Sequence, residues 1–428
     1  MGTEFFELCH ETLSSLLKEK ELTQAELAHR LSISKKTIQR WVNRTTRRVS
    51  HDTLTQLATA LGTTAEKLIR SAEKIQVRPY NTGLKELTSE EYLLKVRLTA
   101  DWASYRRILA SYIADDLPSQ QQAVLFKNLG IASLYLGKLR AGKTYLEKSI
   151  SIAKTLGDRD TKSLSYSWLA VREELNGNLH EASMLVQKAE SLLSAKSCAI
   201  TISTFHFLKG RLFFHSEKYD QAIVSMKQAI IESYKSETPG VLLMTAVFYL
   251  HLTWVYLRQR DLQNATIALN RVQRLAEKIG WVRGQAIIHL SYATISLLKN
   301  EYCPLAKGRV KKGRSLNKLA PRRPLDSRLE QLEFIHHIAN GDFEKAKDVA
   351  LMRLSWAQPC QLYTSYAILD CLFLSKLSPQ ILVVRASLVE KAQRVFRENQ
   401  LQESTEAIEF LLSAPSITIE DFLNRYLF

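Results

Sequence analysis

A period constrains this chain more than any other feature. One pattern recurs as GKLRAGKTYLEKSISIA (137–153), GNLHEASMLVQKAESLL (177–193), EKYDQAIVSMKQAIIES (217–233), RDLQNATIALNRVQRLA (260–276) and GDFEKAKDVALMRLSWA (341–357). Each copy sets a bulky residue three positions before a small one: Leu139/Gly142, Leu179/Ala182, Tyr219/Ala222, Leu262/Ala265 and Phe343/Ala346, with a weaker Cys303/Ala306. The small residues stand at 142, 182, 222, 265, 306 and 346, in steps of 40, 40, 43, 41 and 40. Such a period predicts stacked supersecondary units, each burying its apolar face on its neighbours. Only 15 glycines and 9 prolines occur in 428 residues, which argues for long helices and against a sandwich or barrel. The expected fold class is all-α. Trp102 and the region around Ala386 read as degenerate end copies.

Within a copy, the helix before the turn carries the pairs Leu129-Gly130, Leu169-Ala170 and Lys209-Gly210, seven or eight residues ahead of Gly137, Gly177 and Glu217. Large-small pairs in a first helix, a turn, then small residues in a second helix resemble the tetratricopeptide repeat (TPR). The usual TPR period is about 34 residues, so these helices are longer than the family's. An αα-solenoid of this kind curves into a superhelix whose inner wall, lined by the first helices, suits an extended peptide. Phasing the copies puts Lys127, Asn128, Tyr135, Arg211, His215, Trp254, Arg258 and Tyr292 near that wall, as ligand contacts or as packing between helices. Val241 to Leu257 has no acidic or Lys/Arg side chain. Its 17 residues are marginal for spanning a bilayer, and a buried solenoid helix accounts for them better.

The N-terminal stretch TQAELAHRLSISKKTIQRWVNRTTRR (23–48) reads differently. Thr23 with Glu26 forms a capping box for one short helix, Ser32-Ile33-Ser34 makes a turn, and Ser34 caps a second helix. Ala28 is small where the second helix crosses. Ile38 and Trp41 face inward. Between Ser34 and Arg48 stand six basic residues and no acidic one. Lys, Arg, Gln and Asn on the outward face suit the DNA major groove. Residues 13–70 resemble a lambda-repressor-like (XRE/Cro) helix-turn-helix (HTH) domain through Thr23-Gln24-Ala25-Glu26-Leu27-Ala28, Thr37-Ile38, Trp41 and Leu54-x-x-Leu57-Ala58-x-Ala60-Leu61-Gly62. Two positions depart from that family. Ser32 holds the turn position usually given to Gly, and Val42-Asn43-Arg44 replaces the usual Glu-x-Gly. The resemblance implies five helices: an amphipathic first one over residues 3–20, with Phe6, Leu13, Leu16 and Leu17 facing the core, the two HTH helices, then Thr53–Leu61 and Thr64–Ile69. Lys35, Lys36, Gln39, Arg40 and Asn43 are expected at base edges. Gln24, Thr37, Arg44, Arg47 and Arg48 are expected at phosphates.

The net charge is +16, which favours a polyanionic partner. Residues 1–70 carry 11 basic and 8 acidic side chains, only +3 of it. Lys307 to Arg323 holds eight basic residues and no acidic one, read as a solvated face rather than a second contact surface. The five cysteines (Cys9, Cys198, Cys303, Cys360, Cys371) lie far apart without metal spacing, as reduced cytosolic thiols do. No signal peptide is evident in the acidic, amphipathic start. No phosphate-cradling loop, nucleophile elbow or HExxH is present, and the neighbours Glu173-Glu174 and His336-His337 project apart on a helix. The expectation is a cytoplasmic protein that is not an enzyme, with no cofactor, metal or membrane.

An HTH domain (1–70), a linker (71–89) and a TPR-like array (90–428) resemble the peptide-responsive regulators of bacteria and phages, the Rgg, PlcR, PrgX and arbitrium-type receptors. That resemblance implies a homodimer that binds double-stranded DNA and senses a short peptide in the solenoid. Another class remains open: a TPR adaptor or anti-activator that holds a protein partner, with the HTH secondary.

Overall fold

The computed structural model describes residues 5–43, 48–68, 80–99, 101–113, 117–236, 240–299, 304–319 and 328–426. The chain divides into two compact units between Gly83 and Leu84. The first contains β1 (Phe5–Glu7), α1 (His10–Glu19), α2 (Gln24–Arg30), α3 (Lys35–Val42), β2 (Arg48–Ser50), α4 (His51–Leu61) and α5 (Ala65–Leu68). Its core closes on Leu13, Leu27, Ile38, Leu54 and Leu57, each 1% exposed or less. The helix expected from residue 3 begins only at His10. Phe5–Glu7 pairs antiparallel with Arg48–Ser50, and the Cys9 N–H donates to the Leu68 carbonyl at 2.7 Å. These partners satisfy backbone groups that a longer helix would have satisfied internally. The side chain of Phe6 and the positions Ile69 and 71–79 lie outside what is described. α6 (Tyr80–Leu87), within the stretch read as a linker, spans the division.

The second unit opens with α7 (Glu90–Thr99) and α8 (Trp102–Ala110). Helical hairpins follow: α9 (Ser119–Tyr135) with α10 (Leu139–Leu156), α11 (Arg159–Leu175) with α12 (Leu179–Glu190), and α13 (Ala199–His215) with α14 (Tyr219–Ser233). Next come α15 (Val241–Arg258) with α16 (Leu262–Ile279), α17 (Val282–Leu298) with α18 (Pro304–Leu319), and α19 (Arg328–Ala339) with α20 (Phe343–Ala357). α21 (Gln361–Leu377), α22 (Ala386–Glu398), α23 (Gln402–Ser413) and α24 (Ile419–Arg425) close the chain. The fold is all-α, an HTH domain followed by a TPR-like αα-solenoid, with β1–β2 as a small addition. First helices pack on one another along α9, α11, α13 and α15.

The small residues are where the helices cross. A Cβ added at Gly142 would lie 2.6 Å from Leu134, and one at Gly130 would lie 2.6 Å from Leu146. Ala182, Ala222, Ala265 and Ala346 are fully buried at the matching positions. The hairpin turns repeat as closely. Gly137, Gly177, Glu217, Arg260 and Gly341 all have φ between 58° and 79°. At each, the next residue's N–H donates back to the carbonyl five residues earlier, as Lys138 does to Ser133 and Asp261 to Tyr256, both at 2.9 Å. That is the Schellman closure of a helix C-terminus.

α15 is long and apolar enough to cross a membrane by length and composition. It packs between α14 and α16 with Phe248, Leu250 and Leu257 inside the core. Its hydrophobicity belongs to the centre of the solenoid.

Gly142→Val tests the crossing constraint. It should lower unfolding stability by about 1–3 kcal/mol through overpacking, while Thr144→Val on the exposed side of α10 stays within about 0.5 kcal/mol; urea unfolding of the two variants decides.

Candidate nucleic-acid interface and inner wall

The DNA-facing candidate is built by two caps. The Thr23 hydroxyl accepts from the Glu26 N–H at 3.2 Å and the Glu26 carboxylate accepts from the Thr23 N–H at 2.8 Å, which starts α2. Ser34 accepts from the Thr37 N–H at 3.1 Å and starts α3. Between them Ser32 takes φ 53°, the backbone that Gly adopts more easily. Ile38 and Trp41 are 0% and 5% exposed, which fixes the roll of α3. Lys35, Lys36, Gln39, Arg40 and Asn43 are exposed on its other side, with Thr37 and Gln24 partly exposed. Thr37 shares a 2.9 Å hydroxyl contact with Ser34. Arg44 and Arg47 lie outside the described residues, and of Arg48 only the backbone is described, in β2.

The inner-wall candidates are placed differently from one another, and most are engaged within the chain. Lys127 is buried and donates to Glu90 of α7 at 2.6 Å. Asn128 is buried and donates to the Thr88 carbonyl and the Tyr105 hydroxyl, each at 3.0 Å. Both therefore sit in a seam between helices. Tyr135 stacks on Trp102 at 3.9 Å between ring centroids and leans on Trp168 at 5.9 Å. Trp254 is buried edge-on to His251. Tyr292 bonds Asn270 and lies under the Arg309 guanidinium at 4.3 Å.

Arg211, His215 and Arg258 come together with residues far along the chain. Arg211 donates to Glu174 through Nε at 3.1 Å and Nη2 at 2.8 Å, and to the Tyr363 hydroxyl at 3.0 Å. His215 packs beside Tyr363 and Tyr366 and lies 3.6 Å from Glu174. Burial lifts the Glu174 carboxyl above its ordinary range even with Arg211 beside it. Arg258 donates to the Tyr219 hydroxyl at 2.8 Å and pairs with Glu403 at 3.2 Å. Spacing along the chain did not show Tyr363, Tyr219 or Glu403 at this wall. The visible signal was the loss of the turn glycine at Glu217 and Arg260, next to Tyr219 and Arg258.

The adjacent pairs Glu173-Glu174 and His336-His337 are buried. Glu173 bonds Arg172 and Asn178 while Glu174 bonds Arg211, so their carboxylates serve separate partners. His336 sits between Thr294 and the Leu290 carbonyl, and burial lowers its pKa to about 4. Burial pushes the Cys360 and Cys371 thiols up to about 12, which keeps them protonated. Among the described residues no cluster of His, Cys, Asp and Glu could hold a metal ion. In the basic segment, Lys307, Lys311 and Lys312 are exposed on α18 and residues 320–323 lie outside the description.

Residues 12–70 match the family model of the Cro/C1-type HTH DNA-binding domain. No curated protein matches the chain in sequence. Among solved structures the chain is similar to a Rap protein complexed with competence and sporulation factor, at 13% identity over 97% of this chain and 99% of that one, TM-score 0.43. It is also similar to the apo form of the quorum sensor NprR from B. thuringiensis, at 15% identity over 94% and 98%, TM-score 0.40. A third is Bacillus thuringiensis PlcR in complex with the peptide PapR7 and DNA, at 12% identity over 64% and 95%, TM-score 0.39. The fold assignment rests on the helix pairing described above.

Arg211→Met leaves Glu174 buried without its cation and should cost about 3–5 kcal/mol in urea unfolding, largely recovered by adding Glu174→Gln. A contact reserved for a ligand would instead cost under about 0.5 kcal/mol.

Proposed function

We propose that this protein is a sequence-specific DNA-binding transcriptional regulator that works in the cytoplasm as a homodimer. Its HTH domain occupies residues 1–70, 71–89 connect it, and the solenoid of 90–428 dimerises and senses a short peptide on its inner wall. The observation that carries the first part is the exposed face of α3. Lys35, Lys36, Gln39, Arg40 and Asn43 stand opposite the buried Ile38 and Trp41 with no acidic side chain among them. Such a face combines charge for phosphates with donors and acceptors for base edges. In a two-fold dimer the two heads would meet half-sites about 34 Å apart or a multiple of it.

Peptide sensing rests on the domain order and on the inner wall, where Arg258 and the Tyr219 hydroxyl hold the carboxylate of the partly exposed Glu403. A bound ligand would shift the dimer only by its differential affinity for the two arrangements of the heads. PlcR was solved with both a peptide and DNA. We carry that pairing of ligands to this chain as part of the proposal.

Selection of the full-length protein on random duplexes should yield one related set of sequences. Arg40→Ala should weaken binding to that set by about 1–3 kcal/mol and broaden the preference at one base position, as loss of a base contact does. An Arg40→Ala protein with unchanged affinity and preference would overturn the placement of α3 in the groove.

A further inference from the structure

The last helices cross the hairpin turns in order. Pro359 lies against Gly137, where an added Cβ would meet it at 3.4 Å. Gln361 and Val395 lie against Gly177, each 3.5 Å from an added Cβ, and Asn399 accepts the Leu179 N–H at 2.8 Å. Glu217 meets the start of α23, and Arg260 meets the end of α24. Turn by turn, residues 137, 177, 217 and 260 face chain that itself advances from 359 to 424.

Two of the turn residues are matched to what they meet. At Gly137 and Gly177 the neighbouring side chains come only to ordinary contact distance, and a Cβ at Gly341 would meet nothing within 4 Å. Where helix ends approach, the turn carries a charge of the opposite sign to the helix terminus. The Glu217 carboxylate accepts from the N–H groups of Glu403 and Ser404 at 2.7 and 3.0 Å, and from the Ser404 hydroxyl at 2.6 Å. The N-cap residue of α23, Leu401, makes no side-chain cap, so Glu217 supplies from another repeat what an N-cap supplies locally. Arg260 donates to the carbonyls of Leu423 and Asn424 at 2.6 and 3.2 Å, the open end of α24. Both residues hold the left-handed backbone at φ 58° and 60°, a strain that glycine would avoid. Between these two ports, Glu403 reaches the inner wall. Its carboxylate accepts from the Tyr219 hydroxyl at 2.8 Å and pairs with Arg258 at 3.2 Å. Arg258 is 5% exposed there and Glu403 45%.

We infer that α22–α24 form an intramolecular latch seated on the turn edge by Glu217 and Arg260, with Glu403 occupying a carboxylate site made by Arg258 and Tyr219. A ligand that brings its own carboxylate to Arg258 must displace Glu403 and loosen the latch. The ligand half of this inference rests on the reading of the inner wall as a peptide site. The latch itself does not.

Glu217→Gly with Arg260→Gly tests the latch in the full-length protein. It gives both turns the residue their sister turns carry, so backbone strain falls while the two docking contacts disappear. Amide hydrogen exchange in 402–413 and 419–425 should rise at least about ten-fold, with exchange in α10 and α12 unchanged. Glu217→Gln keeps an acceptor oxygen and should give a smaller rise. Wild-type exchange throughout the double variant would overturn the latch. For the carboxylate site the probe is a pool of random short peptides with free C-termini, beside the same pool amidated. Glu403→Gln should bind the free-carboxylate pool about ten-fold more tightly than wild type does, and the amidated pool no differently. Equal binding by wild type and Glu403→Gln would remove Glu403 from the role assigned to it. If neither pool binds either protein while exchange still rises in the double variant, the latch stands and the peptide reading of the inner wall falls.

Discussion

The architecture depends on how closely two helices can cross. With Gly130 facing Leu146 and Gly142 facing Leu134, the backbones of α9 and α10 approach until a single added Cβ would overlap a leucine. Alanine does the same at 182, 222, 265 and 346. Along α9, α11, α13 and α15 such crossings let a hairpin lay its first helix against the next, and that layer makes a wall. Larger residues at these positions would push the helices apart and change the pitch of the superhelix. The period of about 40 residues in the sequence is the trace of this packing requirement.

Five hairpin turns among the described residues each close on one left-handed residue. Three of the five turns described use glycine, and the other two use Glu217 and Arg260. The exceptions matter because a charged residue in that backbone position gives up comfort. Here each one meets a helix terminus of complementary polarity. The same edge that closes the hairpins thus holds the end of the chain. Beneath it, the buried group of Arg353, Asp370 and Tyr426 ties the end of α24 to α20 and α21.

Much of this was legible in residue order alone. The small residues at 142, 182, 222, 265 and 346 fall at helix crossings, and α15 proves to be a core helix. The caps at Thr23 and Ser34 appear as the local chemistry of those residues requires. These features are local or periodic, so a single chain displays them. What escaped was non-local. The pairing of β1 with β2 joins segments some forty residues apart, and nothing in Phe5–Glu7 announces its partner. Tyr363 and Glu403 reach Arg211 and Arg258 across 152 and 145 residues, by contacts that leave no repeat behind. A charged side chain on the inner face of a solenoid helix looks the same in sequence whether it awaits a ligand or already holds Glu174. Arg211 illustrates the second case, as Lys127 does with Glu90.

The central claim is that the exposed face of α3 reads DNA sequence, and it can be tested without knowing any ligand. The measurement is the affinity of the purified full-length protein for the DNA upstream of its own gene and for a scrambled duplex of equal length, at two salt concentrations. Electrostatic attraction alone weakens steeply with salt and does not distinguish the two duplexes. The account predicts a preference for the upstream DNA that persists at the higher salt while both affinities fall. Equal affinity for the two duplexes at both salts would contradict it.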